Sequence, residues 1–461
     1  MLDLAFTAFF LFLLAAGFKR PFIWVLFYLY VDIVQPQVIS WGVLSRLPVS
    51  LIAFGAAFFG WLVMDRKDDV RFTLRQGLLL MLLAWCGYTT LAAAYPIDAA
   101  DKWSWVWKAL LFAIFLPFTL RTRLRIEAVA LVMVLAASAL VIDGGIKTAA
   151  GGGGYGSLRI FVDSNNGLFE GSIISCVAIA IIPIVLWLAR HGTVFPTDWR
   201  VWGFACALIF ACALIPVGTQ ARTGLVCLAI LCALYLRTAK HRFLIAGGMA
   251  LAMVIAVPFL PKAFLDRMNT IENHKSDQSA GTRVAMWKWT WEYAKANPMG
   301  GGFTAYQSAK VTYDTMEEKT TGSTTIVTSS EVEEVGRAYH SSYFEMLGEQ
   351  GYPGTAIWLA LQFTGLLQME IIRRRWRKRT GADEQWQAPL AVALQLSHVV
   401  YMIGSIFVGI AFQPFILMLI GLQCGLWSYL KRIEAPAPSA ARASRQMKVV
   451  TARSGTPAQP A

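Results

Sequence analysis

Apolar residues in this chain fall in long continuous runs, near 2–18, 21–36, 48–64, 77–95, 105–120, 127–143, 169–189, 201–217, 222–236, 243–260, 351–372, 387–409 and 411–430. Such runs approach the roughly 20 residues a helix needs to cross a bilayer. Lipid offers no partner to backbone N–H and C=O groups, so a spanning element must be a helix or a closed barrel. Barrel strands alternate in polarity and these runs do not. The pattern predicts an all-α polytopic membrane protein of about 12–13 transmembrane helices, the first two short enough to form one re-entrant pair. One polar stretch, from about Pro261 to Gln350, interrupts the series and is expected to stand outside the bilayer as a large, partly helical loop. The expected organisation is a membrane domain over 1–432 containing the 261–350 loop, followed by a disordered tail over 433–461 rich in Ala, Pro, Ser and Arg.

Composition agrees. The 461 residues are 56% apolar and 15% charged, with a mean hydropathy of +0.53, whereas a soluble domain carries about 25% charged residues. The first run lacks an A-x-A-like cleavage site and is followed by Lys19 and Arg20, so it reads as a retained span rather than a signal peptide. All seven cysteines (86, 176, 206, 212, 227, 232, 424) lie in apolar runs, which argues against a disulfide framework or a CxxC metal site.

The net charge of +13 is unevenly placed. Cations follow the odd-numbered runs: Lys19-Arg20, Arg66-Lys67, Arg121/Arg123/Arg125, Arg237/Lys240/Arg242, the run RRRWRKR from Arg373, and Lys431-Arg432. The loops after even-numbered runs hold only scattered cations such as Arg46, Lys102, Lys147 and Arg159. The positive-inside rule places the odd loops and the tail in the cytoplasm, and the loops near 144–168, 218–222 and 261–350 outside. The basic balance is therefore a topology signal, and no nucleic-acid partner is expected.

Within the long loop, Val284, Trp287, Trp291 and Ala294 recur at three- and four-residue steps after Arg283. This predicts an amphipathic helix opened by Arg283, with both tryptophans on a stripe suited to the headgroup interface. Asn297-Pro298 ends it and Gly300–Gly302 forms a turn. The segment Thr320–Val335, Thr-rich and then acidic, reads as mobile, with Glu331, Glu333 and Glu334 as a solvated face. Tyr343, Phe344 and Leu347 lead into a helix that begins the next span after Gly351. The glycine-rich stretch after Ala149 has neither G-x-x-x-x-G-K-[ST] nor a flanking strand, which argues against phosphate cradling by a nucleotide loop.

Several residues carry candidate chemistry. Arg222, at the external mouth of the ninth run, either snorkels to headgroups or faces an anion. Lys108, just inside the fifth, poses the same alternative more sharply, because a buried ammonium needs a partner. Arg283 works against the helix dipole, yet with the free amides of the first turn it would concentrate positive potential for an anion, whether a ligand or lipid phosphate. His340 titrates near neutrality and suits proton abstraction from a hydroxyl, although a lone histidine is more often structural. No HExxH, paired Cys/His spacing or DxD suggests a metal, and no cofactor signature appears. Ser341 and Ser342 lack a G-x-S-x-G context.

Three blocks then converge: T-x-A-R-T-G around Arg222, R-x3-W-x10-P-x-G-G-G from Arg283, and H-S-x-Y-F-E-x-L-G-E-x-G-x-x-G from His340. In order and spacing they resemble the O-antigen ligase / O-antigen polymerase superfamily. The segments DRMNTI, GGFTAYQ and HSSYFEMLGEQG, with the N-terminal KRPFIWVLFYLYVDIVQPQ, are most similar to its branch of exosortase-associated O-glycosylation ligases. The resemblance extends to about Arg432.

It implies a membrane glycosyltransferase of the C type, without cofactor or metal. Such an enzyme moves a preassembled glycan from undecaprenyl pyrophosphate to an acceptor hydroxyl on lipid A core or protein, at the periplasmic face of a bacterial inner membrane. By resemblance Arg222 and Arg283 hold the pyrophosphate, with Lys108 and Arg159 as further basic matches and Asn166 as the asparagine after the glycine-rich loop. His340 becomes the general base, and Trp287 and Trp291 could cap the lipid groove. Many members carry Asn after that histidine where this chain has Ser341. The alternatives are a polymerase extending lipid-linked repeat units, separated by whether chains stall at one unit, and a transporter of lipid-linked glycan, which would place charge at the bilayer midplane.

Overall fold

The computed structural model describes residues 2–67, 72–151, 167–195, 197–238, 241–244, 246–248, 251, 260, 264–265, 278–321 and 324–434. Arg159, Asn166, most of the apolar run 243–260 and the tail beyond Glu434 lie outside the described residues.

The other twelve apolar runs coincide with helices: α1 (Leu2–Lys19), α2 (Phe22–Val34), α3 (Val49–Phe59), α4 (Leu74–Leu91), α5 (Pro96–Thr119), α6 (Arg123–Gly151), α7 (Gly171–His191), α8 (Trp199–Gly218), α9 (Arg222–Thr238), α11 (Ser342–Trp376), α12 (Gln387–Gly404) and α13 (Pro414–Ile433). The helix α10 (Gln278–Ala296) belongs to the long loop. By length and composition five of these, α6, α7, α8, α11 and α13, are long and apolar enough to cross a membrane. The protein is an all-α polytopic membrane protein in architecture. Close backbone approach substitutes for a hydrophobic drive between helices in lipid; at Gly404 of α12, a Cβ would collide with the sulfurs of Cys176 on α7 and Cys227 on α9.

Charged and polar contacts sort the connections into two ends. At one, Arg125 grips Asp65 through two bonds of 2.7 and 3.0 Å. There Arg123 donates to the His191 carbonyl (2.9 Å) and Arg432 to that of Leu120 (2.9 Å). Arg375 and Arg379 share Glu434 at 2.8 and 3.0 Å. The loops after the third, fifth, seventh, eleventh and thirteenth runs thus meet, as the charge pattern predicts. The opposite end gathers the α4–α5 connection, the long loop and the α12–α13 connection.

Two expectations for the long loop are overturned. The segment expected to be mobile is a strand: β1 (Lys310–Thr321) pairs antiparallel with β2 (Thr324–Val335), in register from Lys310↔Val335 to Thr321↔Thr324. A two-stranded ribbon that meets a core only at its base, through Val311, has little to impose alternation, so its Thr and Val content was the main signal. Its base is closed by the Gly336 N–H on the Ala309 carbonyl at 2.9 Å. Second, α10 starts at Gln278, so Arg283 lies past the first turn and its backbone amide does not join the free N-terminal set. The buried face of α10 is Thr282, Met286, Thr290 and Ala294. Val284 (48% exposed) and Trp291 (49% exposed) face outward, whereas Ala294 of the expected interfacial stripe is buried.

After α10 the chain locks onto a break in α11. Gly351 there has φ 63° and ψ −168°, which interrupts the helix between Gln350 and Tyr352. The Gly301 and Gly302 amides bond the carbonyls of Gly348 (3.0 Å) and Glu349 (2.9 Å), and the Tyr352 amide bonds that of Pro298 (2.9 Å). The peptide groups freed by the break are thereby satisfied. Gly300, at φ 85°, sits where a Cβ would come within 2.5 Å of the Glu349 carbonyl. The two glycine blocks of the sequence are one latch. Gly351→Ala should cost about 3 kcal/mol or more, from left-handed strain plus collision with the Pro298 carbonyl. Gly55→Ala on the exposed side of α3, where nothing lies within 4 Å of the added methyl, should be neutral or slightly stabilising. Thermal unfolding of the detergent-solubilised protein compares the two.

Candidate functional site

The α11 start is pinned by Ser342. Its amide bonds the Ser405 carbonyl (2.8 Å), and its hydroxyl donates to the Val408 carbonyl (2.9 Å) and accepts from the Ile410 amide (2.8 Å). Three residues further, the α11 carboxylates turn inward. Glu345 and Glu349 both bind the Lys102 ammonium of α5, at 2.7 and 2.8 Å. Glu349 is fully buried and also accepts from the Thr304 amide (3.0 Å), while Glu345 accepts from the Ala411 amide (3.2 Å). The ammonium lies 5.2 Å from the Phe303 ring centroid and 5.7 Å from that of Phe412, positions in which ring faces attract a cation.

This triad was not singled out from the sequence. Its members stand 243 and 247 positions apart. The available signal was a pair of glutamates one helical turn apart at the mouth of a span, where a carboxylate needs a partner.

His340 precedes this anchored helix. Tyr339 and Ser341 on either side are buried, at 2% and 1% exposure, while His340 itself is exposed. Its backbone is left-handed, at φ 48°, an uncommon state for a residue with a Cβ that surrounding structure must hold. The hold is visible: Tyr339 packs into a small core with Met286, Ala309 and Val311, and the Trp287 indole donates to the Tyr339 carbonyl at 3.0 Å. The indole also stacks on Phe344, centroids 5.1 Å apart and planes within 8°. Trp287 therefore braces the backbone before His340, a task the headgroup expectation did not foresee. Trp291 is outside this brace, with Lys295 over its ring at 5.9 Å.

The His340 imidazole titrates below its ordinary value, first because protein partly withdraws it from water, then because Arg283 and Arg337 disfavour a further positive charge. It is thus neutral, able to accept a proton, over a wider pH range than a free histidine. Arg337 is itself matched by two 2.7 Å bonds to Glu334, whose carboxyl is held below the usual range by that pairing. Among the expected solvated glutamates, then, Glu334 is engaged.

Arg222, half-buried, begins α9 after the buried polar residues Thr219 and Gln220. Five residues on, Cys227 bonds the Val400 carbonyl of α12 (3.6 Å), and about 7.5 Å of helix rise separates the two positions. Because α12 ends at Ser405, whose carbonyl holds Ser342, Arg222 and His340 share one end of the bundle. Among the described residues no hydrogen bond or ion pair joins Lys108 to them. It lies about 9 Å of rise beyond Lys102 along α5, in the field of Asp32 on α2, which accepts from Ser50 at 3.2 Å. The structure therefore brings together His340, Arg283 and Trp287, sets Arg222 on the same face, and gives Lys108 a different neighbour.

Lys102→Ala should lower stability by about 3–5 kcal/mol, because two buried carboxylates lose their counter-charge. Adding Glu345→Gln and Glu349→Gln to that variant should restore part of the loss, read from thermal unfolding in detergent.

Comparison with known families matches residues 205–359 to the family described as O-Antigen ligase, and residues 1–193 to a family of unknown function (DUF5935). The first stretch contains Arg222, Arg283, His340, Glu345 and Glu349; the second contains Lys102 and Lys108. No curated protein matches the chain.

Proposed function

We propose that this chain, which belongs to the O-antigen ligase superfamily through residues 205–359, transfers a preassembled glycan from undecaprenyl pyrophosphate to an acceptor hydroxyl at the end of the bundle that holds His340. The observation that carries this reading is the placement of an exposed, neutral-leaning His340 on strained backbone beside the Arg283 guanidinium. A group suited to act as a base thus lies in the field of a guanidinium suited to an anion. The charge asymmetry of the loops supports a periplasmic location for that end and an inner-membrane setting.

In this mechanism the acceptor hydroxyl gives its proton to the His340 imidazole as its oxygen bonds the anomeric carbon. The bond from that carbon to the pyrophosphate oxygen breaks, and its electron pair leaves with the pyrophosphate. Displacement in line inverts the anomeric configuration. The departing group carries about two to three negative charges, which Arg283 and Arg222 are suited to receive, since a guanidinium stays charged and its planar fork matches phosphate oxygens. Trp291 and Val284, on the outward edge of α10, suit contact with the lipid tail. Lys108, Arg159 and Asn166 enter only through the family resemblance. The acceptor is lipid A core or protein, with ligase activity favoured over polymerisation by the matched family description.

The test is glycan transfer in proteoliposomes supplied with purified lipid-linked donor and candidate acceptors. His340→Ala should reduce transfer by about 10²–10⁴-fold while the protein still folds; undiminished transfer sinks the general-base role. A base acts in its neutral form, so the acid limb of kcat/KM reports the pH below which His340 is protonated. Arg283→Gln removes one cause of the depressed value, burial and Arg337 remaining, and should move that limb to higher pH, besides weakening donor binding. A limb that stays in place would disconnect the two residues.

A further inference from the structure

A cavity of about 1140 Å³ lies not at His340 but at the opposite, cation-rich end, between α7, α9, α11 and α12. Its inner walls are apolar, formed by Pro183, Leu186, Leu234, Val392, Leu396 and Val399. From Gln385 to Val399 the lining follows the chain along α12 for a rise of about 20 Å, so the apolar walls extend well beyond the basic rim along the helices. The rim holds six arginines, Arg190, Arg237, Arg373, Arg374, Arg377 and Arg379, against the two glutamates Glu370 and Glu384.

Both glutamates are already spent. Glu370 pairs with Arg373 and Arg374 at 2.6 Å, and Glu384 with Arg379 at 3.0 Å. Arg190, Arg237 and Arg377 are exposed and form no ion pair with a described carboxylate. Three guanidinium groups with no ion-pair partner among the described residues thus line the same apolar cavity.

We propose that this cavity binds an anionic phospholipid of the adjoining leaflet, its phosphate among Arg190, Arg237 and Arg377 and an acyl chain in the slot. Charge complementarity selects an anionic headgroup, because a zwitterionic one brings no net charge to neutralise the rim. The apolar walls select a lipid over a soluble phosphate, which would leave them uncovered. Guanidinium forks suit phosphate oxygens, and basic pockets between spanning helices are places where anionic lipid headgroups bind. The site is separate from the His340 end and does not rest on the glycan-transfer reading.

Native mass spectrometry of the full chain, released from bilayers of equal phosphatidylglycerol and phosphatidylethanolamine, tests this. The expected result is retention of one phosphatidylglycerol per chain, and a rise in thermal midpoint on adding phosphatidylglycerol but not phosphatidylethanolamine or inorganic phosphate. The triple variant Arg190→Gln/Arg237→Gln/Arg377→Gln should hold it at least tenfold more weakly. Val392→Trp, which keeps every charge and narrows the slot, should also lose it, and decides the matter alone if the triple variant fails to fold. Equal retention of phosphatidylethanolamine, stabilisation by inorganic phosphate alone, a polyprenyl phosphate held in its place, or undiminished retention in Val392→Trp would overturn the proposal.

Discussion

One ammonium between two carboxylates governs the end of the molecule where His340 stands. Removing Lys102, Glu345 and Glu349 from water costs several kcal/mol per charge, and the arrangement is tolerable only because each lone pair and proton finds an alternative to water. The cation has two carboxylates and two ring faces, and each carboxylate has a backbone amide besides the ammonium. Those amides come from Thr304 and Ala411, in separate connections, so four stretches of chain must arrive together before the charges can be buried. The interaction acts less as glue than as a condition on assembly.

From that condition the rest of the end follows by short links. The triad sets the first half of α11, and the latch at Gly300–Gly302 and Gly351 sets the turn leading to it. Ser342 ties the helix start to the α12–α13 connection. His340 is left where helix, loop and small core meet, with a backbone conformation it would not choose alone. Rigid support on every side with an exposed ring at the centre is the arrangement expected of a group that must meet a substrate in one orientation.

The helices were legible because membrane spans announce themselves by length and polarity alone: twelve of the thirteen apolar runs are helices in the described residues, and the loops carrying Arg125, Arg379 and Arg432 meet at one end as their charges implied. Inside the long loop the same reasoning weakened. On α10 the two tryptophans expected on one stripe part company: Trp291 faces outward, whereas Trp287 turns to the Tyr339 carbonyl and Phe344, and Thr282, Met286 and Thr290 form the buried side. The ribbon of β1 and β2 escaped notice because only its base, at Val311, meets the small core, too little to impose an alternating pattern on the sequence. Lys102 was passed over as one of the sparse cations of an even-numbered loop, since nothing local reveals partners so far along the chain. Arg283, Arg222 and His340 emerged as candidates from residue chemistry and motif order, while the bracing role of Trp287 required the fold.

The bond that closes the ribbon at Gly336 and Ala309 separates two kinds of design freedom. Everything on the helix side of that closure is bound by burial, charge and left-handed backbone, and tolerates little change. Beyond it Val311 still belongs to the small core around Tyr339, so freedom to rewrite length and surface begins only past that residue, toward the turn where Thr321 pairs with Thr324. A chain built this way can keep one chemical centre and vary the appendage beside it, much as a tool keeps its handle while the bit is exchanged.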